Sequence, residues 1–174
     1  MSRFLSPELL RLAPYVPGEQ PQDRQYIKLN TNESPFPPSP AVTEALNGEE
    51  ISKLNLYSDP EAAELIKTAA EYYGLDKSNI IAGNGSDEIL AFIFKAFFRS
   101  DAGAACPDVS YGFYPVFCDL FGIKYLPVPL REDFTIRTED YAGLKENVVI
   151  ANPNAQTGIY LPLAEVEKLV SQNR

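Results

Sequence analysis

The chain has 174 residues, with 15 lysines and arginines against 24 aspartates and glutamates, and carries a formal net charge of −9. This acidity disfavours nucleic acids and anionic membranes as partners, because both attract clustered Lys and Arg. The chain contains no histidine, which excludes a Ser-His-Asp triad, a Cys-His dyad and a His-ligated zinc ion within these residues. An apolar fraction of 45% is enough to build a core. No apolar run approaches the ~20 residues of a membrane span, and we expect a soluble, cytoplasmic protein.

Residues 1–40 differ from the rest of the chain because they hold eight of its 15 prolines. Proline fixes φ and removes a backbone donor, so this density argues against a regular domain. We expect an extended N-terminal arm that lies across the body of the protein or across a partner subunit. A connecting segment over 41–58 follows, and residues 59–174 then alternate between predicted helices and strands.

The alternating part begins at Asp59-Pro60, which predicts a helix start, and Gly74 predicts the end of that helix. The patterns that follow predict these elements in chain order: a strand over 79–82, a helix over 86–98, a strand over 103–106, a helix over 110–121, strands over 124–129 and 147–151, and a last helix from Pro162 with Leu163, Val166, Leu169 and Val170 inward. Cys106 and Cys118 are expected to be free and buried. The alternation predicts an α/β fold with a mostly parallel sheet and flanking helices. Since residue 174 falls inside the last predicted helix, we expect the chain to be part of a larger protein.

Three polar loops follow predicted strands, and the carboxyl edge of a parallel sheet is where such loops meet and ligands bind. The loop at Gly83-Asn84-Gly85-Ser86-Asp87 suits a phosphate group, or it is a plain turn capped by its serine. It has neither the third glycine of a Rossmann fingerprint nor the Gly-Lys-Ser/Thr of a P-loop. In the second loop, Tyr111 suits stacking on a flat ring, or burial in the core. In the third, over 152–158, Asn side chains suit a ring hydroxyl, although Asn-Pro and Thr-Gly also make ordinary turns. Pyridoxal 5'-phosphate combines a phosphate, a flat ring and a ring hydroxyl.

Five motifs in order make a family resemblance specific. They are Lys28-Leu29-Asn30-Thr31-Asn32-Glu33-Ser34-Pro35, Tyr57-Ser58-Asp59-Pro60, Gly85-Ser86-Asp87-Glu88, Ser110-Tyr111-Gly112-Phe113-Tyr114 and Asn152-Pro153-Asn154-Ala155-Gln156-Thr157-Gly158. Together they resemble the fold-type-I pyridoxal-phosphate aminotransferases, and most of all the histidinol-phosphate aminotransferase group. The similarity extends over essentially all of the chain.

The resemblance implies roles for individual residues in binding the cofactor. Backbone N–H groups at Gly85, Ser86 and Asp87 are expected to hold the cofactor phosphate, and Tyr111 to stack on the ring. Tyr57 is expected to reach the cofactor phosphate of the other subunit.

The third loop departs from the usual Asn-Pro-Asn-Asn-Pro-Thr-Gly. Its fourth residue, which contacts the ring hydroxyl in the family, is here Ala155, followed by Gln156 in place of proline. We therefore assign that contact to Asn154, with Asn152 as the alternative. Tyr15 and Asn32 are expected to shape the substrate pocket.

The resemblance also implies residues that this chain does not contain. The Schiff-base lysine, the aspartate facing the ring nitrogen and the arginine that grips the substrate carboxylate are expected beyond residue 174, so we expect the chain alone to be inactive. No metal is expected.

The implied function is amino transfer between a small-molecule amino donor, histidinol phosphate, and 2-oxoglutarate in histidine biosynthesis, by a homodimer. The alternatives are a threonine-phosphate decarboxylase-like lyase and a non-catalytic phosphate-binding domain.

Overall fold

The computed structural model describes residues 4, 6–10, 12, 19, 21, 23–24, 26–46, 48–98 and 101–173. The chain forms two compact units, one of Pro14–Ala82 and one of Met1–Ala13 with Gly83–Arg174. Helix α1 (Pro7–Leu10) belongs to the second of these units. The predicted division into an N-terminal arm over 1–40, a connecting segment over 41–58 and an α/β part over 59–174 stays a prediction.

The unit of Pro14–Ala82 is helical where it is regular. Its elements are α2 (Pro40–Leu46), α3 (Glu49–Ser52), α4 (Ala63–Tyr73) and a 3₁₀ helix at Lys77–Asn79. Helix α4 ends as predicted at Gly74, whose φ of 65° is a left-handed conformation that glycine adopts without a Cβ clash. It starts later than predicted, because the Asp59 carboxylate accepts the N–H groups of both Glu61 and Ala63 and closes a turn before the helix.

The strand predicted over 79–82 is absent from the described structure. The Asp76 carboxylate accepts the N–H of Ser78 at 2.9 Å and starts the 3₁₀ helix instead. That helix uses the N–H groups of Asn79 and Ile80, which a strand would need for a neighbour. Ile81, within the predicted strand, is 73% exposed.

The unit that contains Gly83–Arg174 carries the predicted α/β alternation. Its helices are α5 (Ser86–Phe97), α6 (Phe113–Phe121) and α7 (Leu163–Gln172), with a 3₁₀ helix at Thr138–Tyr141. Its strands are β1 (Ala104–Pro107), β2 (Tyr125–Val128) and β3 (Asn147–Val148). They form a parallel sheet in the order β2-β1-β3, in which Ala104 pairs with both Tyr125 and Asn147. The predicted α/β class and the parallel sheet are confirmed.

The sheet is covered on both faces, as a parallel sheet requires. Alternate residues of β1 point to opposite faces, so Ala104 and Cys106 belong to one core cluster and Ala105 to the other. The first cluster contains side chains of α5 and α6, and the second contains Tyr141 and Leu169. Both cysteines are buried and free, as predicted.

Two details of the last two elements differ from the prediction. Strand β3 has two paired residues rather than five. On α7, Leu169 is buried but Leu163 is 82% and Val170 is 50% exposed. At 3.6 residues per turn, Leu163 lies about 120° around the helix from Leu169, which takes it off the face that packs on the sheet.

Among the residues that the structure describes, no helix is both long and apolar enough to cross a membrane. The same residues contain no group of three or more Cys, Asp or Glu placed to hold a metal ion.

Candidate functional site

The first predicted loop folds into a glycine turn that leads directly into α5. Gly85 precedes the helix with φ 85° and ψ 168°, a backbone conformation that other residues rarely adopt. No hydrogen bond between described residues uses the backbone N–H of Ser86 or Asp87. These groups lie at the positive end of the helix dipole and are able to bind an anion.

Glu88 holds this turn in place, and the sequence analysis missed it. Its Oε2 accepts the backbone N–H of Asn84 at 2.7 Å, and the Asn84 side-chain amide also donates to it at 3.4 Å. Glu88 lies three positions after the helix cap Gly85, as in a capping box, but the cap is not Ser or Thr and the bonded N–H belongs to the preceding residue, so the sequence lacks the usual signature. A Cβ on Gly83 would lie 2.6 Å from Ile89 Cδ1 and 2.9 Å from Glu88 Oε2, so a larger residue here would have to displace the ends of these two side chains.

Tyr111 joins the second loop to the first. Its hydroxyl donates to Asp87 Oδ1 at 2.5 Å, across 24 positions of sequence. The half-buried ring lies edge-on to Tyr114, with centroids 5.6 Å apart, and stacks beside Phe113 at 6.0 Å. Burial raises the pKa of the neighbouring Tyr114 hydroxyl, which therefore stays protonated at neutral pH.

The third loop is joined to the second through Asn154. This side chain is 4% exposed, and its Nδ2 donates to the backbone oxygen of Val109 at 2.8 Å. Its Oδ1 is buried and accepts no hydrogen bond from the described residues, and Ser110 Oγ is likewise buried without one. The sequence did not identify Ser110 as a candidate site residue, because the burial of its hydroxyl depends on residues far away along the chain.

Asn152, the alternative for the ring-hydroxyl contact, has a different role in the structure. Its Oδ1 accepts the N–H of Leu161 at 2.8 Å, and its Nδ2 donates to the oxygen of the same residue at 3.0 Å. Both ends of the amide are thus used to close the loop. Ala155 is exposed and offers no polar side-chain group.

Two hydrogen bonds, Tyr111 to Asp87 and Asn154 to Val109, therefore bring the three predicted loops together. Asn32 and Tyr57 belong to the unit of Pro14–Ala82, where Tyr57 is fully exposed and Asn32 has a left-handed backbone with φ 54°. Tyr15 lies outside the described residues. The assigned roles of these residues stay predictions.

Asn154 also borders a cleft of about 330 Å³, whose lining includes charged side chains. Its charges compensate one another: Lys168 pairs with Glu139, and its Nζ lies 3.9 Å from Glu165 Oε2. The hydrogen bond to Lys168 lowers the pKa of Glu139 and that to Glu139 raises the pKa of Lys168, so both stay charged. The buried Thr138 donates to Glu165 at 2.9 Å. Arg131 also lines the cleft, so its two cationic side chains balance its two carboxylates.

Comparison with known proteins gives matches over the whole chain. Over 174 residues the chain is 50% identical to the histidinol-phosphate aminotransferase of Pseudomonas putida, which covers 100% of this chain and 50% of that protein. The chain thus spans about half the length of the curated relatives it matches.

Solved structures show the same similarity in three dimensions. The crystal structure of histidinol-phosphate aminotransferase from Sinorhizobium meliloti in complex with pyridoxal-5'-phosphate matches with a TM-score of 0.73 at 26% identity, covering 83% of this chain and 40% of that chain. A decarboxylase from Sulfurospirillum multivorans matches with a TM-score of 0.55 at 27% identity, covering 75% and 37%.

The family model described as aminotransferase class I and II matches residues 24–174, which is most of the chain. The three joined loops lie within that match. The chain belongs to the class I and II aminotransferase family.

Proposed function

We propose that this chain is the cofactor-holding part of a pyridoxal-phosphate-dependent aminotransferase that acts on histidinol phosphate and 2-oxoglutarate. The observation that carries the proposal is the joining of the three loops by the Tyr111–Asp87 and Asn154–Val109 hydrogen bonds. The 50% identity to a histidinol-phosphate aminotransferase supports the choice of substrate. As part of the same proposal, the protein acts in the cytoplasm, in histidine biosynthesis, as a homodimer.

The residues at the joined loops fit pyridoxal phosphate chemically. The backbone N–H groups of Ser86 and Asp87 supply donors for a phosphate, and Gly85 leaves room beside them. Tyr111 supplies an aromatic ring for stacking. The buried Oδ1 of Asn154 needs a hydrogen-bond donor to offset its removal from water, and a ring hydroxyl is such a donor.

The cofactor, when bound, supplies an electron-withdrawing ring that makes the α-carbon proton of an amino acid removable. The residues of this chain bind and orient that ring. In this proposal Tyr57 reaches the cofactor phosphate held by the other subunit, and Tyr15 and Asn32 contact the substrate.

The test is an assay of protein expressed from the complete gene and loaded with pyridoxal phosphate. We expect glutamate to form from 2-oxoglutarate only when histidinol phosphate is present. A folded, cofactor-loaded protein that forms no glutamate from this pair would contradict the proposed reaction.

A decarboxylase is the second candidate, because the Sulfurospirillum multivorans enzyme shares this fold at 27% identity. The same preparation is therefore given threonine phosphate, and released carbon dioxide is measured. Carbon dioxide without glutamate formation would assign the chain to the lyase.

A further inference from the structure

The Tyr111 hydroxyl donates a hydrogen bond to Asp87 Oδ1. None of the cofactor-binding roles assigned above uses this bond. At 2.5 Å it is short, as expected where the acceptor is a carboxylate. It joins the loop after β1 to the first turn of α5. The only role proposed so far for Asp87 is that its backbone N–H binds the cofactor phosphate, which leaves its side chain without a role.

The Tyr111 ring packs against the first core cluster. The ring is half-buried and has Phe113 and Tyr114 as aromatic neighbours. The hydroxyl lies at the far end of the ring, on the χ2 axis, so a hydrogen bond there fixes the direction in which the long axis of the ring points. Rotation of the ring about that axis is left to its aromatic neighbours.

Asp87 is a suitable anchor for this purpose. It lies in the first turn of α5, so the helix fixes its backbone. The other acidic side chain of that turn, Glu88, is directed back to Asn84 by its own hydrogen bonds. The two carboxylates thus have separate partners, and the one on Asp87 is committed to Tyr111.

We propose that the Asp87 carboxylate is a positioning residue, which holds the Tyr111 ring in the orientation needed to stack on the cofactor. This inference rests on the proposed function, in which Tyr111 is the stacking residue. Asp87 then has two separate roles, with its backbone N–H directed to the phosphate and its side chain directed to the tyrosine that contacts the ring.

An acidic residue in the first turn also stabilises a helix through the dipole, and this effect needs no partner. The two explanations separate in a comparison of Asp87→Asn with Asp87→Ala. Both variants remove the charge, but only asparagine keeps an oxygen in reach of the Tyr111 hydroxyl. A dipole effect treats the two variants alike, whereas a positioning effect does not.

The experiment measures the affinity of pyridoxal phosphate for these two variants, for Tyr111→Phe and for the double variant Tyr111→Phe/Asp87→Ala. The protein is expressed from the complete gene and freed of cofactor. We expect Asp87→Ala to bind about three- to tenfold more weakly than Asp87→Asn, and Tyr111→Phe to bind more weakly than the parent protein by a similar factor. The double variant should lose little beyond Tyr111→Phe, because both changes break the same bond.

A second measurement needs no cofactor. Protein labelled with fluorotyrosine shows a ¹⁹F resonance for Tyr111, assigned by its loss in Tyr111→Phe. We expect this resonance to shift more in Asp87→Ala than in Asp87→Asn. Tyr160→Phe, at an exposed tyrosine, and Asp140→Ala, at an exposed aspartate, are the matched controls.

Equal affinities and equal ¹⁹F shifts in Asp87→Ala and Asp87→Asn would overturn the positioning role. Additive losses in the double variant would overturn it as well. A parent protein that binds no pyridoxal phosphate would contradict the proposed function instead, and the ¹⁹F comparison would still test the Asp87–Tyr111 bond.

Discussion

Asn152 and Asn154 of one loop differ in which atoms of their side-chain amides remain able to bind a ligand. Asn152 uses both ends of its amide on the backbone of Leu161. Asn154 donates through its Nδ2, and its buried Oδ1 accepts no hydrogen bond from the part of the chain that the structure describes. Sequence reasoning left both open as the ring-hydroxyl contact. The hydrogen bonds favour Asn154, and its role stays a proposal.

This difference predicts that truncating the two residues ranks in one order for stability and in the reverse order for cofactor binding. Asn152→Ala should lower the free energy of unfolding of the cofactor-free protein by about 1–3 kcal/mol, because the N–H and oxygen of Leu161 lose their partners. Asn154→Ala should cost less, since it removes an unsatisfied oxygen together with one hydrogen bond. It should, however, weaken the binding of pyridoxal phosphate more than Asn152→Ala does. Urea unfolding and cofactor titration of both variants provide the check, and the reverse ranking in either would refute the assignment.

The Tyr111 ring itself should contribute more to cofactor binding than its hydroxyl does. Stacking contributes roughly 0.5–1.5 kcal/mol beyond burial. Tyr111→Ala removes both stacking and contact area, so cofactor affinity should fall about tenfold or more. Cofactor titration of the folded variant measures this, and an unchanged affinity would return Tyr111 to a purely structural role.

The thiols of Cys106 and Cys118 should be unreactive in the folded protein. Burial raises the pKa of the Cys106 thiol to about 12 and that of Cys118 to about 11. At about pH 8 the thiolate is therefore a minor species at both positions, and the thiolate is the reactive form. We expect a thiol reagent to label neither residue until the protein is denatured. Rapid labelling of the native protein would show that this core opens readily.

At the scale of elements, the sequence predicted best those features that depend on local chemistry. Gly74 ends its helix as expected, in the left-handed conformation, and Gly122 ends α6 in the same way. The prediction of a strand over 79–82 was wrong. An apolar run forms a buried strand only where a partner strand exists, and here the 3₁₀ helix that follows Asp76 uses backbone N–H groups of this segment. Partners lie far away along the chain, as in the Tyr111–Asp87 contact, and a local pattern cannot identify them.

The start of α4 should depend on pH through Asp59. Hydrogen bonds from the backbone N–H of Ala63 first, and then of Glu61, lower the pKa of the Asp59 carboxyl. A lowered folded-state pKa means that the contribution to stability is complete above the unfolded value of about 3.9 and is lost as pH falls through the folded value.

We therefore expect Asp59→Asn to reduce the loss of stability between neutral and strongly acidic pH. Asparagine still accepts a hydrogen bond but does not titrate in this range. The midpoint of thermal unfolding, measured across the acid range for both proteins, tests this. Parallel curves would show that Asp59 has no part in the acid sensitivity.

At the scale of the whole molecule, the unit of Pro14–Ala82 exposes large apolar side chains. Ile27 and Leu29 are 90% and 91% exposed, and Phe36 is 80% exposed. Exposed apolar groups of this kind are typical of surfaces that bind another chain. Because the chain spans about half the length of its relatives, the rest of a longer chain would cover such groups as well as a second subunit would, and the proposed homodimer rests on the predicted role of Tyr57 across subunits.

We predict that the protein expressed from the complete gene sediments as a dimer, in line with the two-fold symmetry most common among such assemblies. Analytical ultracentrifugation over a range of concentrations measures this. A stable monomer with full aminotransferase activity would contradict both the dimer and the assigned role of Tyr57.

Strand β1 has a further consequence for how this sequence tolerates change. Its side chains are small and alternate between two separate clusters, so Ala105 shares no cluster with Ala104 or Cys106. A substitution that enlarges one face is felt by α5 and α6, and one on the other face by α7. Mutations of side chains that belong to different layers and share no contact should therefore combine nearly additively, whereas adjacent residues of β1 share one backbone and should couple.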